Sequence, residues 1–129
     1  MNGRFAFDTN IIIALWSDEP SVKRRFGEAE ETFIPSIVLG ELYIGAVKSF
    51  RSKVNLSRVD EFAVTNSVLP CDAVTAQHYG RIRASLRSKG RPIPDNDIWI
   101  ASLALQFGIT LVTRDEHFQE VEGLSVERW

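Results

Sequence analysis

The stretch Arg91-Pro92-Ile93-Pro94-Asp95-Asn96-Asp97-Ile98-Trp99-Ile100-Ala101 organises the chain. Its prolines hold the backbone extended, because a proline disfavours helix in the residue before it. Asp95-Asn96-Asp97 then opens a helix, since short polar side chains accept from the unpaired N–H groups of a first turn. The body of that helix, Ile98 to Phe107, is almost wholly apolar. Gly108 is the expected C-cap. The β-branched run Ile109 to Thr113 reads as the strand that follows. Asp95 or Asn96 accounts for the cap, which leaves Asp97 over. A carboxylate beside so apolar a helix is costly if buried and unpaired. Asp97 is therefore expected to point into a cleft and bind a cation, with partners supplied from elsewhere in the chain.

A chain of 129 residues is read as one domain with a real core. Its 44% hydrophobic and 25% charged residues are ordinary for a globular protein. No apolar run reaches the roughly 20 residues of a membrane span, and no basic-then-apolar leader begins at Met1. A cytoplasmic protein with no membrane partner is expected. The single cysteine, Cys71, excludes an internal disulfide and is expected to be a small buried apolar residue. The net charge of -2 hides an uneven distribution. Lys48, Arg51, Lys53 and Arg58 fall in an acid-free stretch, and so do Arg81, Arg83, Arg87, Lys89 and Arg91. Such stretches can make one basic face on a mildly acidic protein.

Reading from the start, Arg4 to Asp8 is a short buried strand, and Ile11 to Trp16 a helix. Glu19 to Glu31 is an amphipathic helix opening at Pro20, with Val22 and Phe26 inward. Thr32 to Ile34 is a strand ended by Pro35, and Ser36 caps a helix from Ile37 to Phe50. Leu56 to Val64 is a helix after a turn at Asn55. Ser67 to Cys71 is a strand whose Pro70 suggests an edge or an end. Asp72 caps a helix from Ala73 to Ser88, with Val74, Tyr79, Ile82 and Leu86 toward the core. Leu124 to Val126 is a last edge strand, and Trp129 a packed anchor. Strands alternating with helices predict an α/β fold, a mostly parallel sheet and helices on both faces.

Two further acids end strands. Asp8 and Asp115 stand at carboxyl ends, where open α/β sheets bind ligands. Asp8 either caps the next helix or belongs to a site, and Asn10 either caps or holds Asp8. Glu41 is the one acid in an apolar helix, with no basic residue a turn away. Asp8, Glu41, Asp97 and Asp115 together describe a carboxylate cluster at one end of the sheet. Like charges brought close raise one another's pKa, and a divalent cation relieves this. Hard oxygen ligands favour magnesium or manganese over zinc. Such an ion activates water for in-line displacement at phosphorus. Lys48, Arg51, Arg83 and Arg87 would hold a phosphodiester backbone beside it. His78 and His117 read as surface or supporting groups, too scattered for a zinc site.

Four segments, in order and spacing, carry a family resemblance: Phe7-Asp8-Thr9-Asn10, Pro35 to Leu42, Pro94 to Ala101, and Leu111-Val112-Thr113-Arg114-Asp115. The sequence resembles the PIN-domain nucleases, and closely the VapC toxins of toxin–antitoxin modules. The resemblance covers residues 1–129. It implies a three-layer α/β/α PIN-like fold with a mostly parallel central sheet, and a magnesium-dependent endoribonuclease in which manganese can substitute. The acids at Asp8, Glu41, Asp97 and Asp115 would bind the metal and cut RNA, with Thr113 in support. Asp97 fits the family frame better than Asp95. The toxins imply a small antitoxin protein and a homodimer. The antitoxin helix is expected between the helices at Pro20–Glu31 and Ile37–Phe50, over Phe26, Leu42, Tyr43 and Ile44. Alternatives are a stand-alone RNA-processing PIN nuclease, a catalytically silent RNA- or partner-binding PIN domain and, further off, a phospho-receiver domain. The last would want an adjacent acid pair, but Thr9 follows Asp8, and no lysine follows Lys89.

Overall fold

Phe5, Ala6 and Phe7 are all buried, the continuous apolar pattern of a strand covered on both faces. They form β1 (Arg4–Phe7) in the computed structural model, which describes residues 3–129. The absence of a leader at Met1 is an expectation outside the described residues. Asp8 caps α1 (Thr9–Trp16), accepting from the Thr9 N–H at 2.8 Å. Then follow α2 (Pro20–Glu28), β2 (Glu31–Pro35), α3 (Ser36–Lys48), α4 (Ser52–Thr65), β3 (Ser67–Leu69), α5 (Ala73–Ser88), α6 (Asp95–Phe107), β4 (Thr110–Val112) and β5 (Val126–Glu127). A short 3-10 turn, Glu116–Glu120, lies between β4 and β5.

The five strands make one sheet in the order β3-β2-β1-β4-β5, and every pairing is parallel. Ala6 sits opposite Phe33 on one side and Leu111 on the other. Right-handed crossovers put α1 to α4 on one face and α5 and α6 on the other. The packing agrees. Trp16 and Phe26 both meet Phe62 of α4, at centroid distances of 5.4 and 6.5 Å, while α5 lies along α6. The result is the expected three-layer α/β/α arrangement, with a sheet that is parallel throughout. Trp129 closes it, its ring 5.2 Å from both Phe5 and Phe7. Among the described residues no helix is long and apolar enough to cross a membrane.

Most local signals act as read. Asp72 and Thr75 form a capping box on α5. Gly108 ends α6 at φ 63°, a left-handed conformation that glycine adopts without Cβ strain. Several expectations need correction. Pro35 belongs to β2 and is the N-cap of α3, so Ser36 is its first residue. Phe50 lies beyond α3 and is fully exposed. Asn55 is inside α4, where its amide donates to Ser49 Oγ at 2.9 Å. Val74 is exposed, because the inward face of α5 runs through Thr75, Ile82 and Leu86. Thr75 can occupy that face because its hydroxyl donates to Gln106 Oε1 at 2.5 Å. Cys71 is exposed, in the connection between the end of β3 and the Asp72 cap. The face expected to receive a partner helix is also shifted. Phe26 and Leu42 pack in the core, and the Tyr43 hydroxyl donates to Asp60 at 2.5 Å. Ile44 is exposed as expected, and Ile13, Val47, Phe50, Val54 and Val64 are further large apolar side chains exposed on or beside α1, α3 and α4.

Candidate active site

From β1 the chain crosses to β2 on one side of it; from β4 it leaves toward β5 on the other. At such a switch point a crevice opens outside the carboxyl ends of the two strands. Asp8 directly follows β1, and Thr113 to Asp115 directly follow β4. The Asp8 N–H donates to the Val112 carbonyl at 3.0 Å, so the two strand ends are locked together. The first turn of α6 brings Asp97, and the middle of α3 brings Glu41. All four acids line one cavity of about 640 Å³. These are the four acids expected from the sequence, and the fold brings them together.

Each carboxylate is gripped through one oxygen or both. Asp8 is 3% exposed. Its Oδ1 accepts from Thr9 N at 2.8 Å, and its Oδ2 from Thr113 Oγ1 at 2.7 Å and Asn10 Nδ2 at 3.5 Å. Asp8 is thus both cap and cavity wall, the two roles that the sequence left open. Burial pushes its pKa up to about 6. The Thr113 and Thr9 bonds oppose that rise, and the neighbouring Asp97 and Asp115 carboxylates add to it. Glu41 Oε1 accepts from Thr9 Oγ1 at 2.5 Å. Asp115 is exposed, and its Oδ2 accepts from Asn10 Nδ2 at 3.3 Å. The Asp115 N–H donates to Thr113 Oγ1 at 3.0 Å, so one threonine hydroxyl ties two of the acids. Asp97 Oδ2 lies 2.7 Å from His117 Nε2. Burial raises the Asp97 pKa; the His117 contact lowers it, and the Glu41 and Asp115 charges raise it further.

The loop after β4 is fixed from outside the cavity. Arg114 donates to both carboxylate oxygens of Glu19, at 2.7 and 3.2 Å, and from Nε to the Trp129 carbonyl at 3.1 Å. Asp95, the rival to Asp97, sits on the cavity rim and is held by Arg83 and by the Tyr79 hydroxyl at 3.1 Å. Asp95 is paired with an arginine, whereas Asp97 faces a histidine. Arg83 is accordingly engaged by Asp95. Arg87 lines the adjoining pocket of about 330 Å³ that shares Asp95. Lys48 and Arg51 are exposed at the end of α3, and Lys48 stands about 10 Å along the helix axis from Glu41.

Two contacts were not foreseen. Thr9 supports both Asp8 and Glu41, and His117 meets Asp97. Asp97, Asp115 and His117 offer ligand atoms all within 4.8 Å of one another. The donor set is mainly carboxylate oxygen, and two of the acids are pushed toward their neutral forms by burial and mutual charge. Those properties fit a hard divalent cation, which would restore both acids to the ionised state.

A family model described as the PIN domain matches residues 5–124. The chain is 39% identical to the tRNA(fMet)-specific endonuclease VapC of Shigella flexneri, over 98% of each chain. It resembles the VapBC structure from Salmonella typhimurium bound to DNA at a TM-score of 0.91 and 35% identity, over 98% of both chains. It resembles VapBC2 of Rickettsia felis, bound to a promoter DNA fragment, at 0.90 and 31%, again over 98% of both.

Proposed function

We propose that this chain, which belongs to the PIN-domain family and has VapC ribonucleases as relatives across its length, is a magnesium-dependent endoribonuclease that serves as the toxin of a toxin–antitoxin pair. The observation that carries the reading is the convergence of Asp8, Glu41, Asp97 and Asp115 on one cavity at the switch point of the sheet. The names of the relatives support RNA as the substrate, and the solved neighbours support an antitoxin partner.

Asp8, Asp97 and Asp115 would hold the magnesium ion, with Glu41 bound directly or through water. Manganese would substitute for it. When bound, such an ion would supply positive charge at the phosphate and activation of the attacking water. The chain's own part is geometry. Thr9, Asn10 and Thr113 orient the carboxylates, and the Asp8–Val112 backbone bond fixes the spacing of the two strand ends. Water adds to phosphorus and gives up a proton, the P–O bond to the leaving ribose oxygen breaks, and that oxygen takes up a proton in turn.

A groove of about 380 Å³ adjoins the acids, lined by Ile13, Trp16, Leu42, Ala46 and Arg58 and sharing Thr9 and Glu41 with the site. An amphipathic antitoxin helix fits there, with a trailing arginine reaching the carboxylates. Val47, Phe50 and Val54 leave apolar surface for a homodimer. One experiment tests this reading. The chain is expressed with the small reading frame beside its gene, purified, and assayed on RNA before and after the partner is stripped. Cleavage is expected after stripping alone, with magnesium present, and is lost to a chelator. Cleavage unaffected by chelator ends the metal reading. Failure of the two proteins to copurify makes a stand-alone RNA-processing nuclease the better reading.

The basic side chains predict a salt effect. Replacing Arg83 and Arg87, or Lys48 and Arg51, by alanine is expected to weaken RNA binding. The slope of log affinity against log salt should fall by about 0.7 per lost phosphate contact to single-stranded RNA. Arg83→Ala also frees the Asp95 charge at the rim, so that pair should weaken binding more. Unchanged slopes in both double variants would return these residues to a merely solvated face.

A further inference from the structure

Each acid of the site is oriented by a neighbouring side chain. Thr113 and Asn10 hold Asp8, Thr9 holds Glu41, and Asn10 holds Asp115. For Asp97 the neighbour is His117, with Nε2 at 2.7 Å from Oδ2. With Asp97 ionised, as a bound cation requires, a bare ring nitrogen would repel the carboxylate oxygen at that distance, so Nε2 is the donor in that state. Among the described residues no hydrogen bond reaches Asp97 Oδ1.

The imidazole is itself well placed for this task. His117 lies on the 3-10 turn that begins directly after Asp115. Phe118 is fully buried and pins that turn to the core, and its ring lies 4.9 Å from the imidazole, centroid to centroid. One pinned turn therefore carries both an acid of the site and the group that orients a second acid from α6. Removing an outer group that orients a metal ligand typically costs about 10- to 100-fold in metal affinity.

We propose that His117 is a positioning residue of the metal site: it donates from Nε2 to Asp97 Oδ2 and so turns Oδ1 toward the cation. The proposal rests on the reading of the four acids as a metal site. The alternative, His117 as a direct ligand, would use Nδ1, the ring nitrogen that keeps its lone pair while Nε2 donates.

The test is manganese binding by calorimetric titration into metal-free protein, with thermal melts to compare folding. His117→Ala is expected to weaken manganese affinity 10- to 100-fold. His117→Gln keeps an N–H donor and is expected to recover most of that loss. Pulsed electron paramagnetic resonance of the manganese-loaded wild type should show no nitrogen coupling. Wild-type affinity in His117→Ala overturns the proposal. So does a glutamine variant as weak as the alanine one, and nitrogen coupling would then make the imidazole a ligand. Failure of the underlying metal reading looks different: the wild type itself does not bind manganese, or Asp97→Asn binds as tightly as the wild type.

Discussion

Asp8→Asn is expected to lower metal-dependent RNA cleavage about 10³-fold or more, while raising the stability of the metal-free protein. A catalytic metal supplies several kcal/mol of charge stabilisation in the transition state, and each 1.36 kcal/mol is tenfold in rate. The stability gain follows from burial. The Asp8 pKa is raised from 3.8 to about 6, so ionising this side chain in the folded protein costs about 3 kcal/mol relative to the unfolded chain. Between these two values the folded state binds more protons than the unfolded state. Stability contributed by Asp8 is therefore present below about pH 4, falls as pH rises toward 6, and stays lost above it. Asp97, raised for the same first reason, adds to the same trend. Glu19 and Asp72 are lowered, and their contribution is lost only as pH falls below the ordinary carboxylate range. Metal-free wild type should thus melt higher near pH 4.5 than at pH 7, and Asp8→Asn should reduce that difference. Asparagine keeps an oxygen for the Thr9 N–H and an amide for the Thr113 hydroxyl, so the cap survives. Full cleavage by the variant, or melting curves with the same pH dependence as wild type, would remove Asp8 from the site.

The same residue shows what can be read before folding. Asp8 was visible because it ends an apolar strand and precedes a helix, and both facts are local. Gly108, Asp72 and the apolar run of α6 were readable for the same reason: caps and periodicity act over a few residues. What the chain alone hid is set by strand order. The bond from Thr113 to Asp8 spans 105 residues and exists because β4 lies beside β1. The Arg83–Asp95 pair depends on α5 lying along α6. It removes Arg83 from the free cations that charge counting suggested. No other histidine neighbours His117 in the sequence, so nothing local marks it as part of a site. Its partner is a carboxylate 20 residues earlier, delivered by the first turn of another helix. Cys71 was misplaced because its type is usually buried, whereas its position beyond β3 is not. The lone acid in α3 was the better guide, since an apolar helix had no local partner for Glu41, and the fold supplies Thr9.

Phe7→Ala is expected to cost about 3–5 kcal/mol, the range for removing a fully buried aromatic ring. Phe7 has no exposed surface and ends the central strand of the sheet. Its ring touches Phe26 of α2 at 5.1 Å and Trp129 at 5.2 Å, so it joins a helix layer to the chain's last residue. Phe5, two residues earlier on the same face of the strand, also packs on Trp129 and cannot move to fill the space without leaving that contact. Against a total stability of about 5–15 kcal/mol, the loss removes a large share of the margin. Urea midpoints measure it, and Val64→Ala is the control. Val64 is 84% exposed, so its loss should change stability by no more than about 0.5 kcal/mol. A Phe7→Ala cost near the Val64→Ala value would mean that the centre of the core is misassigned. The expected cost has a functional side. Asp8 is the next residue, and its N–H holds the Val112 carbonyl across the switch point. A cavity under Phe7 loosens that bond, so the folded fraction of Phe7→Ala should bind manganese more weakly than its stability alone requires.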